Sequence, residues 1–396
     1  MGFHTLEELA PMGKRVLLRA DLNVPLKDGR VGDRARLEKI CPTIRELSRG
    51  GARVVVCSHL GRPEGKPVPG LSLRPVAEAL AEVLGQKVGF VASCVGPAAE
   101  QAVASLADGE VLVLENTRFD PREEKNDPAM AEELARLADV YVNDAFSTAH
   151  RAHASTAAVA RKLPSYAGRL MQAELDALAS VLERPQRPLA AIVGGAKVST
   201  KLELFHNLVR RVDALALGGA MANTFLAAGG LAVGRSLQEV ALHGAAREIL
   251  AAARQAGCEV LLPDDVVVGD RLAADAAQRP VSVRAVPDDM MILDLGPATV
   301  AALSARISGW RTLVWNGPLG AFETPPFDRA TTEVARAVAA ATEAGHLTSV
   351  AGGGDTLAAL RHAGVSEKFT YVSAAGGAFL EWLEGRKLPG IAALER

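Results

Sequence analysis

Leu189-Ala190-Ala191-Ile192-Val193-Gly194-Gly195-Ala196-Lys197-Val198-Ser199-Thr200-Lys201 decides the fold. Five consecutive apolar residues form a strand with no polar face, which is stable only when both sides are covered. Two glycines follow, and the chain then opens a helix, on which Lys197 and Lys201, four apart, share one face. The same order of apolar run, polar or Gly turn and helical period recurs outward in both directions. Upstream lie Arg15–Leu18, Arg53–Val56, Val111–Leu114 and Val140–Val142. Downstream lie Ala214–Leu217, Val260–Leu262, Met291–Leu293, Thr312–Trp315, Leu347–Val350 and Val372–Ser373. Strands alternating with helices predict parallel sheets, and there are too many strands for one sheet. The predicted fold class is therefore α/β, with two doubly wound, Rossmann-like domains joined by an interdomain helix and hinge.

The length of 396 residues agrees, because single cores stop growing well below it. An amphipathic helix from about Arg169 to Glu183, closed by Pro185 and Pro188, is the predicted connector. The expected division is 1–168, the connecting helix 169–183, a second domain 184–378 and a C-terminal segment 379–396.

A net charge of −2 leaves no global field for nucleic acid or an acidic membrane, so any anion must be captured locally. Glu7 and Glu8 stand where a signal peptide needs apolar residues. Ala214–Gly234 is uncharged for 21 residues, but its five glycines suit a strand, a turn and a buried helix better than a membrane span. Cys41, Cys57, Cys94 and Cys258 show no metal-binding spacing and read as reduced thiols. The expectation is a cytoplasmic protein.

In open α/β sheets, ligands bind beyond the carboxyl ends of the strands. In the first half those ends carry Arg19-Ala20-Asp21-Leu22-Asn23, Ser58-His59-Leu60-Gly61-Arg62, Glu115-Asn116-Thr117-Arg118 and Asn143-Asp144-Ala145-Phe146, the last leading to His150-Arg151-Ala152-His153. Guanidinium groups form bidentate bonds to oxyanions, and Asp and Asn suit hydroxyls. One arginine at a strand end is ordinarily a solvated charge. Four such loops imply a small, hydroxylated, multiply anionic ligand. Arg36, on spacing alone, is a helix-face charge.

The second half places glycines in the same positions. Beyond Gly194-Gly195, these are Gly352-Gly353-Gly354-Asp355-Thr356 and Gly376-Gly377-Ala378. Such turns let backbone N–H groups approach phosphates, and a helix N-terminus favours their charge. For Lys197 and Lys201 a solvated basic face is the alternative. Asp355 or Thr356 could serve as an N-cap, but Asp355 beside phosphates suits Mg²⁺. The Trp315–Glu323 loop could hold a ribose through Glu323. No GxxxxGK[ST] motif, dinucleotide fingerprint or protein-kinase motif set is present.

Taken together, Arg19–Pro25, Ser58–Pro63, Val142–Phe146, Gly194–Val198, Trp315–Pro318 and Gly353–Thr356 closely resemble the phosphoglycerate kinase family, nearly end to end. The resemblance implies reversible phosphoryl transfer from 1,3-bisphosphoglycerate to MgADP, giving 3-phosphoglycerate and ATP, in line and upon hinge closure. It implies a monomer with a phosphoglycerate-binding N-terminal domain, a nucleotide-binding C-terminal domain and a final segment returning to the first. Carried over, the phosphoglycerate contacts are Asp21, Asn23, Arg36, His59, Arg62, Arg118 and Arg151. The nucleotide contacts are Lys201, Ile292, Glu323, Gly353, Gly354, Asp355 and Thr356, with Asp355 toward Mg²⁺. Arg36, Lys197, Lys201, Gly376 and Gly377 would surround the transferring group. Two departures stand out: Ser373-Ala374-Ala375-Gly376-Gly377-Ala378 replaces Ser-Thr-Gly-Gly-Gly-Ala, and Ile292 replaces a common glycine near the adenine site. Another sugar-phosphate or carboxylate kinase, and a non-catalytic anion-binding protein of two domains, are the alternatives.

Overall fold

The computed structural model describes residues 2–396. Its chain divides into two compact units, one formed by the residues up to Leu175 with Lys387–Arg396, the other by Asp176–Arg386. The helix expected from about Arg169 runs Arg169–Leu182, and the division falls within it.

The first unit is built on a six-stranded parallel sheet in the order Val88–Val91, Val111–Leu114, Arg53–Cys57, Arg15–Arg19, Val140–Asn143, Ser165–Ala167. Its central strands are apolar because helices bury both faces: Val16, Leu18, Val54 and Val56 pack on Leu37, Ile40, Ile44 and Leu80 of the covering helices. The chain enters the sheet at Arg15–Arg19 and winds first to one side and then to the other. The switch point therefore lies between Arg15–Arg19 and Val140–Asn143, and Ala20–Asn23 and Asp144–Ser147 leave the sheet side by side. Lys387–Arg396 packs in this unit, burying Leu388, Ile391 and Leu394, with the Gly390 N–H donating to Ala149 O at 2.8 Å.

The second unit repeats the plan in the order Glu259–Leu261, Ala214–Leu217, Leu189–Val193, Thr312–Asn316, Thr348–Gly352, Tyr371–Ser373, again all parallel. Its switch point sets Gly194 beside Gly317. The uncharged Ala214–Gly234 stretch resolves into that strand, a turn at Gly218 and the helix Gly219–Ala228, and among the described residues no helix is long and apolar enough to cross a membrane.

One expectation is corrected. Met291–Leu295 joins an antiparallel three-stranded sheet with Asp265–Gly269 and Gln278–Ser282, not the parallel sheet. Its apolar side chains cover a separate small core of Val266, Val268, Leu226 and Val286. All four cysteines are free and buried.

Candidate active site

In the first unit, Arg36 sits in the first turn of the helix Ala35–Arg49, half-exposed, and pairs with Asp21. Asp21 also accepts from Ser147 Oγ at 2.5 Å and from the Asn23 N–H at 3.1 Å. The Asn23 side chain accepts from the Gly61 N–H at 3.0 Å, and Arg118 Nη1 donates to Gly61 O at 2.7 Å. Gly61 takes φ +60°, and a Cβ there would meet the Leu71 side chain at 2.7 Å, so a loop that binds Asn23 and Arg118 together requires glycine. Asp21, Asn23, Arg36 and Arg118 are thus tied to adjoining loops. Arg62 is exposed, and Arg151 donates to His150 Nε2 at 3.2 Å.

His59 is buried. Burial, then Arg19, Arg118, Arg151 and His153, pushes its pKa well below the usual imidazole range. His153 is lowered to about 4, by burial first and then by Arg118, Arg19 and Arg151. Imidazoles that stay neutral among several guanidinium groups mark a strongly positive field. Arg118 feels it too: burial lowers its pKa, partly offset by Glu124 at 3.0 Å. Sequence reasoning missed Ser147, Ser155 and Glu123. Glu123 sits in Arg122-Glu123-Glu124, which reads as a surface charge run, yet it is fully buried.

In the second unit, three backbone segments meet at the switch point. A Cβ on Gly194 would land on the Pro318 carbonyl oxygen. One on Gly317, at φ +100°, would land on Gly194 O. Lys201 reaches into this crossing, donating to Gly194 O at 2.8 Å and Asn316 O at 3.2 Å. Burial lowers its pKa to about 8, with Asp355 drawing it partly back. Lys197 does not share its environment. The two lysines flank a 3₁₀ turn, Val198–Thr200, rather than lying on one helix; the helix begins at Leu202, and Lys197 is exposed.

The Gly352–Thr356 turn also differs from expectation. The helix runs Gly354–His362 with Gly353 as its N-cap, so Asp355 and Thr356 lie in its first turn and cap nothing. Thr356 Oγ1 accepts from the Gly317 N–H at 2.7 Å and donates to Gly352 O at 2.8 Å. Its hydroxyl is spent inside the fold. Asn316 Nδ2 donates to the same Gly352 O at 2.8 Å, while its buried Oδ1 finds no donor among the described residues. Asp355 is exposed.

Beside this crossing opens a cavity of about 360 Å³, lined among others by Gly195, Gly219, Ile292, Glu323 and Asp355. The Ile292 N–H is taken by Ser236 Oγ at 2.7 Å, and the residue packs against the small core while lining the cavity. Gly376, at φ +40°, and Gly377 open the helix Gly377–Leu383 and do not line the cavity. Asp294, which sequence reasoning missed, does line it. Asp294 is buried and accepts from the Leu295 and Ala330 N–H groups, both at 3.0 Å. Burial raises its pKa to about 8. A lone acid inside the apolar run Met291–Leu295 was the available signal.

Two doubly wound units, one cationic at its switch point and the other glycine-lined around a partly buried lysine, define a phosphotransferase of two α/β units. Comparison with known proteins gives the family. The phosphoglycerate kinase family model matches residues 6–386. The chain is 62% identical over 394 residues to phosphoglycerate kinase of Granulibacter bethesdensis, covering all of both chains. It is 60% identical over 394 residues to that of Methylobacterium radiotolerans, covering 99% of this chain and 98% of that one. Among solved structures, phosphoglycerate kinase from Coxiella burnetii superposes with a TM-score of 0.94 at 42% identity over 99% of each chain. The Pyrococcus horikoshii enzyme gives 0.77 at 31% identity, over 99% of this chain and 98% of that one. The chain belongs to the phosphoglycerate kinase family.

Proposed function

We propose that the first unit holds the phosphoglycerate and the second the nucleotide in the family's glycolytic reaction. That reaction, which this chain carries out, is reversible phosphoryl transfer from 1,3-bisphosphoglycerate to ADP, giving 3-phosphoglycerate and ATP. Asp21, Asn23, Arg36, His59, Arg62, Arg118 and Arg151 bind the phosphoglycerate. Lys201, Ile292, Glu323, Gly353, Gly354, Asp355 and Thr356 bind the nucleotide, Thr356 through its backbone. One observation carries the assignment of the second unit. Lys201 is a largely buried ammonium whose two hydrogen bonds go to neutral carbonyls, next to a glycine-lined cavity. A buried cation with neutral partners gains most from an anion.

The chemistry needs little beyond placement. An acyl phosphate already has a good leaving group, so neither a covalent intermediate nor a strong base is required; in-line approach, charge neutralisation and exclusion of water are. Lys201 offsets charge on the phosphates, and bound phosphate restores the affinity for a proton that burial removed. Lys197, one 3₁₀ turn away and exposed, is free to swing to the same group, and the Gly376 and Gly377 amides add neutral donors. Arg36 must exchange Asp21 for the transferring phosphoryl group, and Ser147 and the Asn23 N–H keep Asp21 satisfied after it leaves. Meeting of the two substrates in line is the step we assign to hinge closure.

Asp355 would hold Mg²⁺. The described residues contain no cluster of three or more metal-binding side chains. A single exposed carboxylate beside a phosphate site fits, because Mg²⁺ takes one or two carboxylates, phosphate oxygens and waters. When bound, the ion neutralises phosphate charge. ATP formation from bisphosphoglycerate and ADP, with Mg²⁺ supplied or withheld, tests the reading. ATP only with Mg²⁺ is expected. Phosphate release without ATP, or binding without turnover, refutes it. The same reading has the chain act as a cytoplasmic monomer, checked by cell fractionation and by sedimentation of the purified chain.

A further inference from the structure

We infer that Arg19 is a positioning residue that fixes the ring tautomer of His59, so that the imidazole presents Nε2–H as a donor to the bound anion. This rests on the reading of His59 as a phosphoglycerate contact and adds how the ring is held.

Arg19 has no exposed surface and cannot grip a ligand itself. Its three guanidinium nitrogens are all placed inside the unit. Nη1 donates to Ala20 O, Nε donates to Ser155 Oγ at 2.9 Å, and Nη2 lies 3.2 Å from His59 Nδ1. A guanidinium only donates. His59 Nδ1 must therefore carry its lone pair, and the proton of the neutral ring must sit on Nε2. A charged ring would turn an N–H against an N–H, at a site where Arg118, Arg151 and His153 already add to the field of Arg19. Histidine is thereby converted from a titrating cation into a fixed neutral donor.

Arg19 is itself locked from behind. Ser155 Oγ has one hydrogen, and it goes to Glu123 Oε1 at 2.5 Å, which leaves the oxygen to accept from Arg19. Glu123 also accepts from the Ser155 N–H at 2.9 Å and from Thr117 Oγ1 at 3.3 Å. The Ser155 carbonyl accepts from Tyr141 Oη at 2.8 Å. Ser155 lies on a π-helical turn, Ala154–Ala158, a rare geometry that often marks functional sites. Arg19 and Glu123 are thus opposite charges without exposed surface, joined through one hydroxyl. Such a pair costs more to desolvate than it returns unless each hydrogen bond is kept. A buried network of this kind serves better to orient a side chain than to add stability.

The test is a long-range ¹H–¹⁵N spectrum of the full chain with ¹⁵N-labelled histidine, the His59 signals being those lost in His59→Ala. We expect a protonated Nε2 and a bare Nδ1, unchanged from about pH 5 to about pH 8. A protonated Nδ1, or a ring that titrates in that range, overturns the inference. In Ser155→Ala, which removes the bridge and neither charge, the two tautomers should mix. KM for 3-phosphoglycerate should rise about tenfold with kcat little changed. A fixed tautomer in that variant overturns the relay through Ser155. Calorimetry on His59→Ala separates the two readings. Unchanged phosphoglycerate affinity refutes the substrate assignment even where the tautomer is as expected, whereas lost affinity with a protonated Nδ1 refutes only the role of Arg19.

Discussion

Replacing Lys201 with Met should stabilise the second unit at neutral pH and destabilise it at alkaline pH. The folded ammonium has a pKa of about 8 against an ordinary 10.5. At pH 7 the native state therefore holds this proton at a cost of about 3 kcal/mol. Methionine fills similar space and removes that cost, but it leaves Gly194 O without its donor, at about 1 kcal/mol, whereas Asn316 O keeps the Gly194 N–H at 3.0 Å. The variant should gain about 2 kcal/mol at pH 7. Between about pH 8 and pH 10.5, the folded wild type has released the proton and the unfolded chain still binds it, so wild-type stability climbs with pH. Once the penalty is gone, the variant should be the less stable by about 1 kcal/mol, the cost of the abandoned Gly194 carbonyl. Denaturant unfolding followed by tryptophan fluorescence measures this. Trp310, Trp315 and Trp382 all lie in the second unit, so the signal reports that unit alone. A stability difference of the same sign at about pH 7 and about pH 10 would refute the reasoning. At pH 7 the variant should bind ADP about 10 to 100 times more weakly, as fits the loss of a charge-assisted contact.

Arg36→Ala should lower kcat about 10³-fold or more, as removal of an arginine that stabilises phosphoryl transfer does. Because its pair with Asp21 is half-exposed, stability should change by less than about 1 kcal/mol; near-normal turnover contradicts the role. Asp355→Ala should lose Mg-nucleotide affinity in calorimetry and keep phosphoglycerate binding, and the reverse pattern would exchange the roles of the two units. Gly194→Ala puts a methyl on a backbone oxygen that has nowhere to go, and should cost about 3 kcal/mol or more in fluorescence-detected unfolding. Gly354→Ala faces open space, so it should unfold like wild type, and any loss of ADP affinity then reports close approach of the phosphates.

The inner strands were legible because strands covered on both faces are spelled as unbroken Val, Leu and Ile. The edges were not. Val88–Val91 is interrupted by Gly89 and only half-buried, Ser165–Ala167 is three residues long, and Gln278–Ser282 is largely exposed and contains Pro280. Met291–Leu293 was read as a strand but given the wrong sheet, because an apolar run records burial and not its partner. At the site, residue types after strands could be read, whereas orientation could not. Spacing put Lys197 and Lys201 on one face, and a 3₁₀ turn separated them into an exposed cation and a partly buried one. Glu123 and Ser155 carry no local pattern because their partner, Arg19, lies more than a hundred residues away in the chain.

Lys387–Arg396 belongs to the first unit, and its turn Pro389–Ala392 packs on the same Ala154–Ala158 turn that carries Ser155. The ribosome therefore makes the whole second unit before the piece that packs on this part of the first. Until that piece is made, the early-born unit has its sheet but lacks the segment that packs on the turn bearing Ser155.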